Sequence, residues 1–312
     1  MKAIITGISG FVGQYLKEEL ESANYEVIGI ERTQKGDIIL GDVLDRDRII
    51  QIISDIQPDV IIHLAGQPRV RYSWDNPIET IQLNTLSSLN ILDAVSKLNK
   101  AVRTLFIGSS EQYGIVSITN NIVNEEMPTR PVNPYAISKQ AQEDLVLSLA
   151  RKRNLDVVLT RSFNHIGPRQ KVGMVIPDFA SSIAKIEKQL QEPVIKVGNL
   201  YLKRDFTDVR DVVIAYRLLI EKGQTGEIYN IGNGKSYSIK EMLDFMINLS
   251  PKKIDIEIDK NKFRPIEIPE LISNNRKIYE TCGWLPRINI KDTLEATLDY
   301  WRHKDEYNYK EI

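Results

Sequence analysis

Several short runs in this chain are apolar almost throughout instead of on alternate residues: "KAIIT", "YEVIGIE", "DIIL", "DVIIHLAG" and "RTLFIGS". Alternation would leave one sheet face in water. Unbroken runs need cover on both faces, which a parallel sheet obtains from its crossover helices. The segments between them supply such helices: one from about Phe11, "RDRIIQIISDI", a long one from about Asn76 to Leu98, and "NPYAISKQAQEDLVLSLARKRN". In the last of these Asn133 is the N-cap candidate and Pro134 suits the first helical position. The strand "DVVLTRSFNH" follows, and the fold class expected is α/β, a doubly wound parallel sheet. Beyond "HIGPRQ" the rhythm loosens into a helix near 175–191, the strand "VIKVG", "DVRDVVIAYRLLIEKG", "EIYNIGNG", "SIKEMLDFMINL" and a C-terminal helix ending near Trp301. A first lobe over residues 1–165, with a return near 205–230, and a smaller C-terminal α/β lobe over 166–312 are therefore expected, the second lobe packing on the C-terminal edge of the sheet.

"TGISGFVG" places Gly7, Gly10 and Gly13 at three-residue intervals between the first strand and the first helix. Glycines admit a pyrophosphate close to the backbone, and the helix N-terminus offers it unpaired N–H groups. The sheet is thus expected to be of the Rossmann dinucleotide-binding type, with Gly7, Ser9, Gly10, Phe11, Val12 and Gly13 against the cofactor. The second strand ends in Glu31 followed by Arg32, which disagree: a carboxylate suits the ribose hydroxyls of NAD, an arginine the extra phosphate of NADP. Cofactor choice stays open between the two. "GDVLD" adds Asp42 and Val43 near the adenine, although a solvated turn aspartate is an equal reading of Asp42.

"YAISK" sets Tyr135 and Lys139 four residues apart on one helix face. An ammonium beside a phenol favours the phenolate, so Lys139 is expected to lower the Tyr135 pKa and make it a proton donor and acceptor at neutral pH. Together with the glycine turn and "GSSEQYG" (108–114), this pattern resembles the extended short-chain dehydrogenase/reductases, specifically the nucleotide-sugar-modifying branch, over nearly the whole chain. The resemblance implies a catalytic set of Ser109, Tyr135 and Lys139, with Lys139 also holding the nicotinamide ribose. It implies that the loop Leu64, Ala65, Gly66, Gln67 covers the cofactor and that Asn84 belongs to the same site. "RSFNHIGPRQ", "VGNLYLKRDFTDVRDVV" and "RPIEIPE" fall where that family lines its substrate cleft, which implies Asn164 at the sugar phosphate, Arg204 and Arg264 on phosphate oxygens, and Glu267 on a ribose or base.

These segments look most like the GDP-mannose branch, whose dehydratases and 4-keto reductases differ in chemistry. Glu111 stands where the dehydratases carry their acid/base glutamate. The shorter chain, an "IERTQ" loop without consecutive arginines, "FNHIGPRQ" and "RDFTDVRD" instead favour NAD(P)H-dependent reduction of GDP-4-dehydro-6-deoxy-D-mannose to GDP-6-deoxy-D-mannose (GDP-D-rhamnose). GDP-mannose 4,6-dehydratase, alone or joined to the reductase, is the alternative; a UDP-hexose 4-epimerase and a non-catalytic dinucleotide sensor follow. The resemblance also implies a homodimer through the helix beginning near Asn76 and the one carrying Tyr135.

Lys+Arg number 41 against 42 Asp+Glu, so no nucleic-acid partner is expected. No signal-like segment or long apolar run is present, so no membrane is expected and the setting expected is cytoplasmic. Cys282 is the only cysteine, and His63, His165 and His303 lie far apart, so no metal site is expected.

Overall fold

The computed structural model describes residues 1–33, 38–116, 121–263 and 265–304. Its first lobe runs β1 (Lys2–Thr6), α1 (Phe11–Ser22), β2 (Glu26–Glu31), β3 (Ile39–Leu40), α2 (Arg46–Ile56), β4 (Val60–His63), α3 (Val70–Asp75), α4 (Pro77–Ile81), a π-helical turn (Gln82–Leu86) and α5 (Ser87–Val95). It continues through β5 (Arg103–Ser109), a 3-10 turn (Ser110–Tyr113), β6 (Ile122–Val123), α6 (Pro134–Arg153) and β7 (Val157–Ser162). Then come β8 (Asn164–Ile166), α7 (Val175–Glu187), β9 (Val194–Val197), β10 (Lys203–Asp208), α8 (Val209–Lys222), β11 (Ile228–Ile231), β12 (Ser236–Ser238), α9 (Ile239–Asn248), β13 (Asp255–Ile258), β14 (Ile272–Ser273), α10 (Arg276–Cys282) and α11 (Ile290–Arg302).

Seven strands form one parallel sheet in the order β11-β7-β5-β4-β1-β2-β3. The order reverses between β1 and β4, which puts the ligand crevice of an open α/β sheet beyond the C-terminal ends of those strands. The unbroken apolar runs of β1 and β4 have the consequence expected of them: β4 is buried at every residue and β1 at all but its first. One face is covered by α1 and α8, with Ile5, Leu16, Val212 and Tyr216 in that core; the other by α2, α5 and α6, with Ile4, Ile53, Leu92 and Val146.

A further core is formed where α7, α9 and α11 pack Ile183, Leu243 and Leu298 against Val197 and Phe206. The chain returns to the first lobe with α8 and β11, and again with α10 and Trp284, whose indole N–H donates to the Asp211 carbonyl at 2.9 Å.

The helix expected from about Asn76 to Leu98 is a continuous rod from Pro77 to Val95, but five of its residues form the π-helical turn. Ahead of it stands α3, for which the sequence raised no expectation. Among the described residues no helix is long and apolar enough to cross a membrane, and no group of His, Cys, Asp and Glu could hold a metal ion.

Candidate active site

The glycine turn is built by close contact. Gly7 has φ +75°, a conformation that only glycine adopts freely, and a Cβ there would lie 2.9 Å from the Ala65 nitrogen. At Gly13 a Cβ would lie 2.4 Å from the Gly7 carbonyl oxygen, so α1 can start this close over the turn only with glycine. Gly10 is the N-cap and supplies no side-chain acceptor, which leaves the first-turn N–H groups of a 12-residue helix without a side-chain cap. A backbone cradle that side chains would fill, at a helix N-terminus, fits the pyrophosphate of a dinucleotide. Phe11 closes the turn toward the second lobe by stacking on His165, with ring centroids 6.2 Å apart, while Val12 and Leu64 pack on the core beneath.

The loop after β4 is held from below by Asn84. Its Oδ1 accepts from the Gln67 N–H at 2.8 Å, and its Nδ2 donates to the Gln67 carbonyl at 3.1 Å and to the Ser138 hydroxyl at 2.9 Å. Asn84 is buried, against the alternative of a solvent-facing helix residue. The π-helical turn aims it, and such turns recur at functional positions. A Cβ at Gly66 would lie 2.8 Å from Asn84 Oδ1 and 3.9 Å from Lys139 Nζ, so the loop sits directly over that lysine. Asp42 caps its own turn, accepting from the Leu44 N–H at 2.9 Å, and the Val43 carbonyl is fixed by Asn90 Nδ2 at 2.9 Å. At the end of β2, Glu31 accepts from Ser9, and Arg32 is exposed.

Ser109 ends β5 and Tyr135 lies in the first turn of α6, buried, with the Ser109 side chain near enough to influence its phenol. Burial raises the Tyr135 pKa to about 12; the Ser109 side chain opposes that rise and the Glu111 charge adds to it. Lys139, expected to lower the phenol pKa, is not among the causes of its shift, which is upward. Its ammonium donates to the Ile107 carbonyl at 2.8 Å and to Gln142 Oε1 at 3.1 Å, and burial lowers its pKa to about 8. His63, between Thr6 and Ser87, is lowered to about 3 by burial first and then by the Lys139 charge, and stays neutral.

The expected N-cap Asn133, and further residues that sequence reasoning passed over, hold this set in place. Asn133 caps α6 through the Ala136 N–H at 2.8 Å, a cap worth about 1 kcal/mol, and also donates to Glu111 Oε2 at 3.0 Å. Ser73 of α3 accepts the Tyr135 backbone N–H at 3.1 Å. Gln112 accepts the Ser109 N–H at 2.8 Å and donates to Glu143 at 2.9 Å. Glu143 in turn takes two bonds from Arg161, at 2.9 and 2.6 Å, and that guanidinium lies over the Tyr113 ring. Ser138, Gln142 and Glu143 recur on the buried face of α6 beside Tyr135, a polar stripe where apolar residues belong, and that stripe was the signal available in the sequence.

On the substrate side Glu111, Asn164 and Arg204 line one small pocket with Ser110, Phe163, Ile268 and Leu271. Arg204 is fixed by the Ile268 carbonyl at 2.6 Å. Glu267 is not among the lining residues; its carboxylate accepts from Asn199 Nδ2 at 2.6 Å. Arg264 lies outside the described residues.

The chain is 33% identical to GDP-6-deoxy-D-mannose reductase of Pseudomonas aeruginosa over 305 residues, 97% of this chain and 98% of that protein. It is 29% identical to GDP-mannose 4,6 dehydratase 2 of Caenorhabditis elegans over 94% of this chain and 87% of the relative. The solved structure of RMD from Pseudomonas aeruginosa complexed with NADPH superposes with a TM-score of 0.87 over 97% of this chain and 99% of that one, at 33% identity. The model of the family described as GDP-mannose 4,6 dehydratase matches residues 4–297, and the chain belongs to that family.

Proposed function

We propose that the protein reduces the C4 ketone of GDP-4-dehydro-6-deoxy-D-mannose to GDP-6-deoxy-D-mannose with NADH or NADPH. The observation that carries the reading is the buried Tyr135 phenol, whose pKa the nearby Ser109 side chain lowers against burial, with Lys139 directly beneath the Gly66 loop. When bound, the dinucleotide supplies a hydride. Tyr135 gives its proton to the developing O4 alkoxide while Ser109 donates a hydrogen bond to the same oxygen. Lys139 keeps a positive charge under the loop, and Arg204 with Asn164 takes the diphosphate end of the substrate.

A second reading, dehydration of GDP-mannose, is favoured by Glu111, whose carboxylate lines the same pocket. Incubating the purified protein with GDP-mannose, with and without a separate dehydratase, while following NADH and NADPH absorbance and the sugar product, distinguishes the two. The expected result is consumption of reductant only after the 4-keto sugar has been made. Formation of the 4-keto sugar by this protein alone would move the assignment to elimination at Glu111.

The pH profile follows from the two shifted groups. Tyr135, at about 12, keeps its proton across the working range, whereas Lys139, at about 8, loses its charge as pH rises. The log of kcat/KM is therefore expected to bend near pH 8 and fall with a slope of about one above it, and Lys139→Arg, permanently charged, to remove the bend. A profile flat to pH 10 would show that the lysine charge takes no part.

The reading includes a cytoplasmic setting and a homodimer. Ile78, Ile81 and Leu86 on the α4–α5 rod and Ile137 and Leu145 on α6, which packs against it, are exposed apolar side chains on adjoining helices. Placing Glu at both Ile81 and Leu145 is expected to convert a dimer to a monomer in sedimentation velocity. A wild-type protein that sediments as a monomer at micromolar concentration would remove the dimer from the reading.

A further inference from the structure

Three successive residues of the glycine turn are fastened to the end of β2. The Gly7 N–H donates to the Ile30 carbonyl at 3.2 Å. Ile8 sits over Gly29, where a Cβ would lie 2.5 Å from Ile8 Cγ2, so the turn rests against bare backbone. Both the N–H and the hydroxyl of Ser9 donate to Glu31 Oε1, each at 2.8 Å. Among the described residues Glu31 Oε2 accepts no hydrogen bond.

We infer that Glu31 makes this protein select a dinucleotide whose adenosine ribose carries a free 2′-hydroxyl over one carrying a 2′-phosphate, NADH over NADPH. The inference rests on the dinucleotide reading of the turn given above. The end of the second strand is where the adenosine ribose is met in this kind of sheet. A carboxylate there accepts hydrogen bonds from ribose hydroxyls, and Oε2 is the atom left to do so. A 2′-phosphate brings between one and two negative charges to the same place. Glu31 cannot swing aside without breaking both Ser9 bonds, which fix the turn that must hold the pyrophosphate, so the repulsion is built into the cradle. Arg32 is the competing feature, since a guanidinium attracts phosphate. It is exposed to solvent, where such attraction is screened, while the Glu31 carboxylate is pinned against the turn.

Direct titration of the purified protein with NADH and with NADPH, in the absence of any sugar nucleotide, tests this by nicotinamide fluorescence or calorimetry. Wild-type protein is expected to bind NADH at least about tenfold more tightly than NADPH. Glu31→Gln, which keeps an acceptor for Ser9 and removes the charge, is expected to bring the two affinities within about threefold by tightening NADPH. Glu31→Ala is expected to weaken NADH as well, with a melting curve reporting that the fold is intact. Equal or tighter binding of NADPH by the wild type, or a ratio unmoved in Glu31→Gln, overturns the assignment of Glu31 alone. Failure to bind either dinucleotide overturns it together with the reading of the turn.

Discussion

Tyr135→Phe is expected to reduce kcat for ketone reduction by roughly 10²–10⁴-fold, the range associated with loss of a positioned general acid. The substitution removes one oxygen and leaves the ring where α6 buries it, so the fold and the cradle for the dinucleotide stay as they are. Tyr135 also has its backbone N–H on Ser73, which the variant keeps. Dinucleotide affinity, titrated separately, is therefore expected to change by less than about threefold, and the loss belongs to the chemical step. Ser109→Ala removes the hydroxyl near the phenol and is expected to fall in the same direction with a smaller loss. Retention of most turnover by Tyr135→Phe would mean that another group donates the proton, or that the chain acts as a sensor needing no proton donor.

The largest effect on stability is expected from Glu143→Ala. Glu143 and Arg161 are among the buried charged residues, paired at 2.6 and 2.9 Å, and the same carboxylate takes a bond from Gln112. Removing it leaves the Arg161 charge in the interior against the Tyr113 ring and the Glu125 carbonyl, so a loss of about 3–5 kcal/mol is expected. Replacing both partners with apolar residues, Glu143→Leu with Arg161→Met, is expected to cost less than the single change, because no charge is then left alone. Denaturant unfolding of the single and double variants measures both, and a single variant within 1 kcal/mol of wild type would show that solvent reaches the pair. Because Gln112 joins this pair to the Ser109 N–H, the surviving fraction of Glu143→Ala is expected to show a lower kcat as well.

Much of this was legible in the residues. Strands buried on both faces announce themselves as unbroken apolar runs, and β1, β4 and β5 lie where such runs stand. The Asn133 cap and Pro134 fixed the start of α6 for the reason that makes them good caps: one accepts an orphan N–H and the other has none to satisfy. What the sequence concealed is mostly tertiary. The Tyr135–Lys139 spacing placed the two side chains on one face but could not show that the Ile107 carbonyl, 32 positions earlier, would take the ammonium. Glu267 fell in the right segment, yet Asn199, 68 positions away, claims its carboxylate. Short strands such as β6 and β14 pair, among the described residues, only with each other, and two residues carry no periodicity to read.

The π-helical turn at Gln82–Leu86 has a mechanical meaning beyond aiming Asn84. A helix advances about 100° per residue, so the one surplus residue of a π-helical turn sets the two halves of the rod out of phase by that angle. The C-terminal half can then bury seven of its nine residues against the sheet, while the N-terminal half turns Ile78 and Ile81 outward and keeps Thr80 under Gln67. Deleting a single residue from that turn would bring the halves into phase and rotate one of them away from its neighbours. The support of the loop over Lys139 and the outward set of the apolar side chains thus depend on the same surplus residue.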